Sequence, residues 1–537
     1  RVARSSMVLL ENRGGVLRDE DREALERQQI FLAPHGMEQF HLEIQNLYAA
    51  LAQPTEKLTV SYPVSDGKGA EKRPSFVIGR IARLLPSISV ETESTDKEYR
   101  LSVKSTALEY AGEHIGGALW QYFEGQGDAE RALAAMKDAS RYTRGHLSRD
   151  AVHALYGGAV TLSASRMDMA RSCHFAYFMR YGLKARERTG AGFDAPQIGT
   201  FVHDVMEHTL RQAKECGGLH TLSKDKLHAL VRASIEEYID RVLPDLCEKS
   251  ARFRYLFNRL CATVERIMDE VSEELQSSDF EPLAFELEFG ADGQLPAITI
   301  REENGTARVV GKVDRVDGWL HDGKLYLRVV DYKTGKKSFD LAELRYGLGL
   351  QMLLYLFTLK EEGQMLFGGH EIVPAGVLYT PAREPMLRCA RDTEPEKIEK
   401  ALKKELRRSG MVLEDPAVLQ AMEHSALESP CYLPIAVKRD GAVTGSLASA
   451  EQLGKLSKYV DHILHEITQE VFAGNIDADP YARTPQQSAC TYCEFASACH
   501  FENGCGSDRM EYIKATKNDE FWQYIDEVNG EGARENG

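Results

Sequence analysis

The stretch RVVDYKTGKK, residues 328–337, closes an apolar run with an aspartate and a lysine two positions apart. If residues 324–333 form a strand, every second side chain lies on the same face, because side chains alternate along a strand. That face carries Leu325, Leu327, Val329, Asp331 and Lys333. A row that starts as hydrophobic core therefore ends in a carboxylate and an ammonium group. Taken alone, the same letters also suit a strand that ends in polar residues before a turn.

The segment just upstream supplies a partner strand for this row. Asp322-Gly323 separates two apolar runs and is a strong signal for a two-residue hairpin turn. With that turn, Asp314 lies directly opposite Asp331, about 5 Å away between Cβ atoms, where like charges are destabilising without a cation between them. We therefore expect Mg²⁺ (or Mn²⁺) at these two aspartates, with Lys333 holding water or offsetting negative charge. A one-residue slip in register would break the arrangement.

Composition and charge limit the class of protein. A chain of 537 residues is long enough for several domains, and 43% hydrophobic with 28% charged residues is an ordinary soluble composition. The net charge of −16 argues against a protein that coats nucleic acid with its whole surface, because such binding depends on Lys and Arg neutralising phosphates. A local basic groove remains compatible with this charge.

The sequence also indicates a compartment. It contains no uncharged apolar run of about eighteen residues, and its start has no apolar segment ahead of a small-residue cleavage site. We therefore expect a cytoplasmic protein without membrane contact. The chain begins at Arg1 rather than at a methionine, which is what a fragment of a longer protein would show.

Periodicity predicts the organisation of the chain. Short apolar strands at residues 6–12 and 57–65 alternate with helices at 19–33 and 38–53, which is α/β patterning. Helical periodicity then continues from about residue 106 to 156. We expect a first α/β region over 1–105, a helical linker over 106–160, a chemistry-bearing domain over 161–510 and an amphipathic tail over 511–537. Residues 394–410 predict a surface helix whose charge run is a solvated face.

Two helices carry polar pairs at helical spacing. In residues 199–210, His203 and Glu207 lie one turn apart on the same face. His203 is either a further metal ligand or a core histidine. On the helix after the hairpin, Gln351 and Tyr355 again share a face, either beside a site or at the polar edge of a packing helix.

The cysteines form a cluster near the end of the chain. Cys490, Cys493 and Cys499 have the spacing C-x2-C-x5-C, and a lone Cys173 lies far upstream. Three clustered thiolates need a fourth ligand, and a four-thiolate site holds zinc or an iron–sulfur cluster. Cys505 and His500 are the rival fourth ligands for a local zinc site, and a redox disulfide is a further alternative.

A basic and aromatic segment follows Cys173. It mixes cationic side chains, which track phosphates, with aromatic rings, which stack on single-stranded bases. The candidate DNA-binding residues are Arg180, Lys184, Arg186 and Arg188. The alternative is that the rings pack around the cysteine cluster while the arginines face solvent.

In chain order, the motifs are G-x-x-x-H, then D, then D-x-K, then Q-x-x-x-Y. In these the chain resembles the PD-(D/E)XK nuclease superfamily, in the branch that contains the RecB nuclease domain. The resemblance implies an α/β fold with a restriction-endonuclease-like core, a mixed central sheet flanked by helices. It departs from the family name because Val330, not proline, precedes Asp331.

The resemblance also implies roles for the motif residues. A histidine and two acidic residues bind metal in that family, the lysine is catalytic, and the glutamine and tyrosine support the site near DNA. The metal ligands carried over are His203, Asp314 and Asp331. The catalytic and supporting residues carried over are Lys333, Asp331, Asp314, Gln351 and Tyr355.

One cysteine before the nuclease motifs and three after them resemble the iron–sulfur nucleases of this superfamily. This implies that Cys173, Cys490, Cys493 and Cys499 hold a 4Fe-4S cluster that joins the two ends of the domain. The segments 14–34, 57–86 and 173–188 look like the AddB family, the B subunits of AddAB ATP-dependent helicase–nucleases.

That closer resemblance implies a helicase-like region over 1–105 and a heterodimer with an AddA-like subunit. It further implies DNA ends as substrate, processing of double-strand breaks for recombinational repair, and cutting of the 5′-ended strand. The residues show no G-x-x-x-x-G-K-[ST] loop, since TGKKS at 334–338 lacks the upstream glycine, so we expect no ATPase motif in this chain. The alternative function is an inactive DNA-binding scaffold with a structural cluster.

Overall fold

The fold is taken from a computed structural model of the chain. It describes residues 27, 36–64, 72–88, 97–141, 143–186, 195–243, 251–290, 293–385, 387, 389, 393–484 and 486–535. None of the helices in these ranges combines the length and hydrophobicity that crossing a membrane requires. The chain divides into two compact units, residues 1–123 and residues 124–537.

The described part of the first unit is helical. Its helices are α1 (Gly36–Ala52), α2 (Phe76–Leu84), α3 (Lys97–Ser102), α4 (Lys104–Glu113) and α5 (Ala118–Phe123). The helix expected at 38–53 is confirmed. The strand expected at 57–65 is wrong over its described residues, 57–64, which have no regular structure. A strand must pair its backbone with a neighbour, and the described part of this unit offers no strand to pair with. The elements expected at 6–12 and 19–33 lie outside the described residues, apart from Arg27.

The second unit begins with helices. They are α6 (Asp128–Ser140), α7 (Arg149–Tyr156), α8 (Ala164–Ser172), α9 (His174–Tyr177), α10 (Ala195–Glu215), α11 (Lys224–Val242) and α12 (Ala251–Gln276). A short strand, β1 (Ala159–Leu162), precedes α8, and a π-helical turn (Phe178–Gly182) follows α9. The helical periodicity read over residues 106–156 is confirmed as four helices, α4 to α7. It is interrupted at Gly116, Gly125 and Gly127, whose positive φ angles of 80°, 80° and 50° suit glycine.

A mixed sheet forms the centre of this unit. The strands in chain order are β2 (Glu281–Phe289), β3 (Ile298–Glu302), β4 (Gly305–Val309), β5 (Gly311–His321), β6 (Lys324–Lys333), β7 (Glu371–Pro381), β8 (Ser409–Leu413), β9 (Ile435–Val437), β10 (Val443–Gly445) and β11 (Leu447–Ala448). The six-stranded sheet has the order β11-β8-β7-β6-β5-β2. β6 runs parallel to β7 and antiparallel to β5, and β1, β4 and β3 form a smaller sheet.

Helices cover the central sheet. The later ones are α13 (Leu341–Arg345), α14 (Gln351–Glu362), α15 (Pro395–Glu405), α16 (Pro416–Met422) and α17 (Ala450–Phe472). α14 connects β6 to β7, packs on both strands and on α17, and is buried throughout residues 352–359. Ser449 and Gln452 form a capping box at the start of α17, so two backbone N–H groups of its first turn are bonded.

The hairpin register predicted from Asp322-Gly323 is confirmed. These two residues have positive φ angles, 50° and 77°, as the favoured two-residue hairpin turn requires. β5 and β6 pair from His321 opposite Lys324 to Arg315 opposite Val330, and there the ladder ends. The next pair in that register is Asp314 and Asp331. Backbone pairing therefore stops where the charged site begins.

The last part of the chain is a small irregular layer and a helix. β12 (Tyr481–Thr484), β13 (Gln487–Ser488), α18 (Ala496–Cys499) and β14 (Glu511–Tyr512) precede α19 (Asn518–Glu535). α19 packs on α17, and its Phe521 and Ile525 are fully buried. The segment expected as an amphipathic tail thus contains a helix whose apolar face belongs to the core of the second unit.

Candidate functional site

Three carboxylates lie in a row across neighbouring strands of the central sheet. Glu286 on β2 falls between the pairs Phe285–Arg315 and Leu287–Val313, which places it opposite Asp314 on β5. Asp314 in turn lies one residue beyond the last pair of the β5–β6 ladder, at the level of Asp331. We call Glu286, Asp314 and Asp331 the acidic row.

His203 on α10 reaches the acidic row from the helical layer. Its Nδ1 atom lies 3.3 Å from Asp314 Oδ2, and its Nε2 atom lies 2.9 Å from the backbone oxygen of Tyr332. The backbone N–H of Tyr332 donates to the same Asp314 oxygen at 2.9 Å. Burial by itself lowers the pKa of His203, but the hydrogen bond to Asp314 and the charges of both aspartates raise it to about 9. These carboxylates therefore favour the protonated imidazole, whose proton a metal ion bound to His203 would displace.

The acidic row offers ligands for a divalent metal. Among the described residues, the metal-ligating atoms of His203, Glu286 and Asp314 lie within 4.8 Å of one another. These three residues line an open cavity of about 420 Å³, together with Glu207 and Lys312. Lys312 forms an ion pair with Glu286, so an ammonium group stands where a cation is favoured. An imidazole with carboxylate oxygens on one side of an open cavity fits a hard divalent cation that keeps water ligands.

Two carboxylates of the acidic row have raised pKa values. Burial, followed by the charge of Asp314, raises the pKa of Asp331 to about 6, although Lys333 acts in the opposite direction. Burial also raises the pKa of Glu286; the hydrogen bond from Lys312 lowers it, and the charges of Asp314 and Glu207 add to the rise. Added positive charge at this site therefore favours the ionised form of both carboxylates.

Lys333, Gln351 and Tyr355 surround Asp331. The Nζ atom of Lys333 lies 2.6 Å from Asp331 Oδ2, and it also lies over the ring of Tyr379. Gln351 is 3.3 Å from both Asp331 Oδ1 and the Tyr355 hydroxyl. The structure thus brings together all six residues that the motif order singled out, and it places Asp331 with Lys333 rather than in the three-residue ligand group.

Sequence patterns did not identify Glu286 as a residue of the site. In EPLAFELEF, residues 281–289, it alternates with apolar residues and reads as part of a solvent-facing row. The strand's antiparallel register with β5 alone places it opposite Asp314. Its φ angle of 49°, unusual for a residue other than glycine, turns the strand locally at this point. No motif spacing carries that information.

The opposite face of the same hairpin holds a second set of buried charges, the back-face network. Asp317 Oδ2 accepts hydrogen bonds from Arg315 at 3.0 Å and Arg328 at 2.9 Å. Glu274 on α12 pairs with Arg328 at 3.4 Å and with Arg408 at 2.7 Å. Burial by itself raises the pKa of Glu274, but Arg408, Arg328 and Arg315 lower it to about 2.

The back-face network is connected to the acidic row through one residue. Arg315 donates to the hydroxyl of Tyr332 at 2.7 Å, and the backbone of Tyr332 bonds to both His203 and Asp314. Sequence reasoning missed these charges, because Arg315, Asp317 and Arg328 occupy alternating strand positions that read as solvent-facing.

The four singled-out cysteines line one cavity of about 570 Å³. Cys173 is buried between α8 and α9, and Cys490, Cys493 and Cys499 lie in the irregular layer before and within α18. Burial raises the pKa of Cys173 to about 12. His500 also lines the cavity, whereas Cys505 is exposed and outside it. All four cysteines are free thiols in the described part of the chain.

Polar contacts tie the two ends of this cavity together. His174 donates its backbone N–H to Asp479 Oδ1 at 3.0 Å, and its ring lies 2.6 Å from Asp479 Oδ2. Arg144 donates to Asp508 at 2.8 Å and to the backbone oxygen of Cys499 at 2.8 Å. Two segments separated by some three hundred residues therefore meet directly at the cysteines.

The predicted DNA-binding cations do not form one group. Arg180 makes an ion pair with Glu494 beside the cysteine cavity. Lys184, whose φ angle is 55°, and Arg186 are exposed. Arg188 lies outside the described residues.

Residues 161–500 match the model of the PD-(D/E)XK nuclease superfamily. This chain belongs to that superfamily. The match begins at β1 and ends just after Cys499, so it contains the acidic row, His203, Lys333 and all four cavity cysteines. The nuclease core with a mixed sheet flanked by helices, expected from the motifs, is thereby confirmed.

Curated relatives extend the similarity over nearly the whole chain. The chain is 30% identical over 96% of its length to a protein of Ruminiclostridium cellulolyticum and 31% identical over 95% to one of Acetivibrio thermocellus. It is 29% identical over 95% of its length to one of Clostridium botulinum. Each of these is named as the B subunit of an ATP-dependent helicase/deoxyribonuclease. The chain covers 47%, 46% and 47% of these proteins, about half the length of the relatives it matches.

Proposed function

We propose that this chain is the nuclease-bearing part of a B subunit of an ATP-dependent helicase–deoxyribonuclease. It hydrolyses phosphodiester bonds of DNA as an exonuclease, with Mg²⁺ or Mn²⁺ as cofactor. The observation that carries the proposal is the acidic row, with His203 beside Asp314 and Lys333 beside Asp331, in a chain of this superfamily. A scaffold whose nuclease fold is inactive would have no need to retain this complete set.

Each residue of the site has a distinct role in this proposal. His203, Glu286, Asp314 and Asp331 would hold the divalent metal, which supplies Lewis-acid charge and an activated water. Lys333, held by Asp331 over the ring of Tyr379, orients a nucleophilic water or offsets charge on the phosphate. Gln351 fixes the second oxygen of Asp331 and is itself held near the Tyr355 hydroxyl.

The wider role rests on the family resemblance, and the relatives' names support only its coarser part, a subunit of a helicase/deoxyribonuclease. We infer a heterodimer with an AddA-like helicase–nuclease subunit that acts on double-strand DNA ends in the cytoplasm, cutting the 5′-ended strand during recombinational repair. Residues 1–105 would then belong to a helicase-like region without its own ATPase loop, residues 106–160 to a linker, 161–510 to the nuclease domain and 511–537 to a tail.

The deciding experiment uses DNA labelled at its 5′ or 3′ ends, with Mg²⁺, ATP and the partner subunit. Lys333→Ala should abolish cutting of one strand and leave the melting temperature unchanged. Lys324→Ala, at the other end of β6, is the matched control and should cut like the wild type. Loss of the 5′-ended cut assigns that strand to this chain. Identical digestion by all three proteins would leave this chain as a scaffold.

Metal binding is tested without activity. Titration calorimetry with Mn²⁺ should give heat of binding on the wild-type chain and much less on Asp331→Ala. Equal heats for the two proteins would remove the acidic row as the metal site.

We also propose that the four cavity cysteines hold a 4Fe-4S cluster. All four cysteines line one cavity, and one cysteine before the nuclease motifs with three after them resembles the iron–sulfur nucleases of this superfamily. Spacing alone does not separate the cluster from zinc. Anaerobic purification followed by iron, sulfide and zinc analysis decides the point, and zinc without iron would refute the cluster.

A further inference from the structure

A basic groove lies on the Lys333 side of the active site. It has a volume of about 310 Å³ and is lined by the ends of β6 and β7, the loop after β6, and the end of α15. The cationic residues that line it are Lys333, Lys336, Lys337, Arg383, Lys404 and Arg407. Glu405 is the one acidic residue among the groove's lining residues. Six cations and one carboxylate make the groove positively charged, although the whole chain has a net charge of −16.

Lys333 pairs closely with Asp331, but three other cations of the groove are only loosely compensated. Lys336 and Arg383 share Glu405 at 3.9 Å and 3.5 Å, which is too long for strong hydrogen bonds. Lys337 lies 3.7 Å from Glu343, whose carboxylate also pairs with Arg483 at 3.1 Å. Excess positive charge on this surface is therefore available to an anionic ligand.

Arg407 lines the groove with a guanidinium group that is held in a fixed position. Its Nη atoms donate to the backbone oxygens of Ile435 and Pro430, which hold the guanidinium in place. The fixed guanidinium adds a positive charge to the wall of the groove, where it attracts a phosphate.

The lysines of α15 include one that lines the groove and others that pair with carboxylates of the same helix region. Lys404 lines the groove, whereas Lys403 next to it pairs with Glu399 at 3.1 Å, and Lys397 pairs with Glu394 at 3.0 Å. The charge run of this helix was expected to be a solvated face throughout. Lys403 and Lys404 are both exposed, as expected of a solvated face, and Lys404 also lines the groove beside the loop TGKKS that contains Lys336 and Lys337.

We propose that this groove binds the phosphate backbone of the DNA strand being cut, next to the phosphate at the acidic row. The proposal rests on the proposed nuclease function and specifies where its substrate lies. The groove meets the site at Lys333, whose Nζ atom lies 2.6 Å from Asp331 Oδ2, so a strand seated on the groove continues directly to the acidic row. Each cation neutralises phosphates and releases counterions, which makes the binding salt-dependent.

The test compares two double variants of the full chain with equal charge change. Arg383→Gln/Lys404→Gln removes two groove cations, and Lys397→Gln/Lys403→Gln removes two cations of the same helix outside it. Binding of fluorescein-labelled oligodeoxythymidylate is followed by anisotropy against salt concentration, in EDTA so that no strand is cut. The groove variant should bind at least tenfold more weakly at low salt, with a salt slope smaller by about 1.4, since each single-strand contact contributes about 0.7.

The control variant should keep the wild-type slope. In Mg²⁺, the groove variant should cut with a raised KM and a nearly unchanged kcat. Equal slopes for the groove variant and the wild type would overturn the proposal, even where both cut DNA. Conversely, a wild type that binds through the groove but cuts nothing would leave the groove standing and refute the nuclease function.

Discussion

The two faces of the β5–β6 hairpin carry buried carboxylates in opposite electrostatic states. On the front face, burial and the charge of Asp314 raise the pKa of Asp331 to about 6. On the back face, burial acts in the same direction on Glu274, but three guanidinium groups lower its pKa to about 2. The two side chains are buried to a similar degree, since Asp331 is 3% and Glu274 1% exposed. The difference lies in their neighbours, because guanidinium groups surround Glu274, whereas Asp331 faces a second carboxylate, Asp314.

This contrast shows how one pair of strands serves structure and chemistry together. A buried carboxylate with all its cations in place is inert and rigid, which suits a support. A buried carboxylate lacking a cation favours whatever ion relieves it, which suits a metal site. Tyr332 contacts both sets, through its hydroxyl on the back face and its backbone on the front.

The largest expected effect comes from breaking the back-face network. Arg328→Met takes one partner from Asp317 and one from Glu274, which keep only Arg315 and Arg408 in a dry environment, and this should lower the free energy of unfolding by about 3–5 kcal/mol. Lys324→Met on the same face of β6 removes the exposed pair with Glu371 and should cost less than about 1 kcal/mol. Urea unfolding followed by tryptophan fluorescence measures both. Equal losses would show that burial does not distinguish the two pairs.

Acid should weaken the back face in a defined pH window. The folded pKa of Glu274 lies below its unfolded value, so its stabilisation is present above about pH 4.5 and is lost as pH falls towards 2. The loss is about 3 kcal/mol for a shift of this size. Glu274→Gln should lack this loss, and the difference in unfolding free energy between the two proteins should shrink through that window. A constant difference from pH 5 to 2 would contradict the lowered pKa.

The front face should respond with the opposite sign. Because the folded pKa of Asp331 is raised, its ionisation costs stability above about pH 6, and that cost vanishes below about pH 3.8. Asp331→Asn should therefore stabilise the metal-free chain at pH 8 by about 1–3 kcal/mol, and the gain should fade on acidification. Thermal unfolding in EDTA at several pH values tests this, and a destabilised variant at pH 8 would refute it.

The smallest effect concerns Glu286. Glu286→Gln keeps the shape of the side chain but removes one anionic ligand, so the affinity for Mn²⁺ should fall about tenfold, or about 1.4 kcal/mol. Glu288→Gln on the same strand, whose side chain is 55% exposed, is the matched control and should leave the affinity unchanged. Calorimetric titration measures both proteins. An unaltered affinity for Glu286→Gln would limit the metal ligands to the residues found from sequence motifs.

The sequence by itself determined the hairpin and the motif residues on it. Asp322-Gly323 sets the turn, the turn sets the register, and the register brings Asp314 to the level of Asp331, because these are local rules of backbone geometry. Helical spacing likewise identified His203, Gln351 and Tyr355 as members of polar pairs that share one face of a helix. The cysteine spacing showed that three thiolates share one site.

The tertiary structure alone decided which residues from distant segments meet. Glu286 reaches the acidic row only through the pairing of β2 with β5, and Glu274 reaches the back face only through the packing of α12. Lys404 faces the groove while Lys403 does not, although the two are neighbours in sequence. Local patterns specify the face of a strand or helix on which a side chain lies, but the packing of distant segments decides which residues it contacts there. Packing also sets the charges around each buried carboxylate, and these charges make one carboxylate a structural support and another a metal ligand.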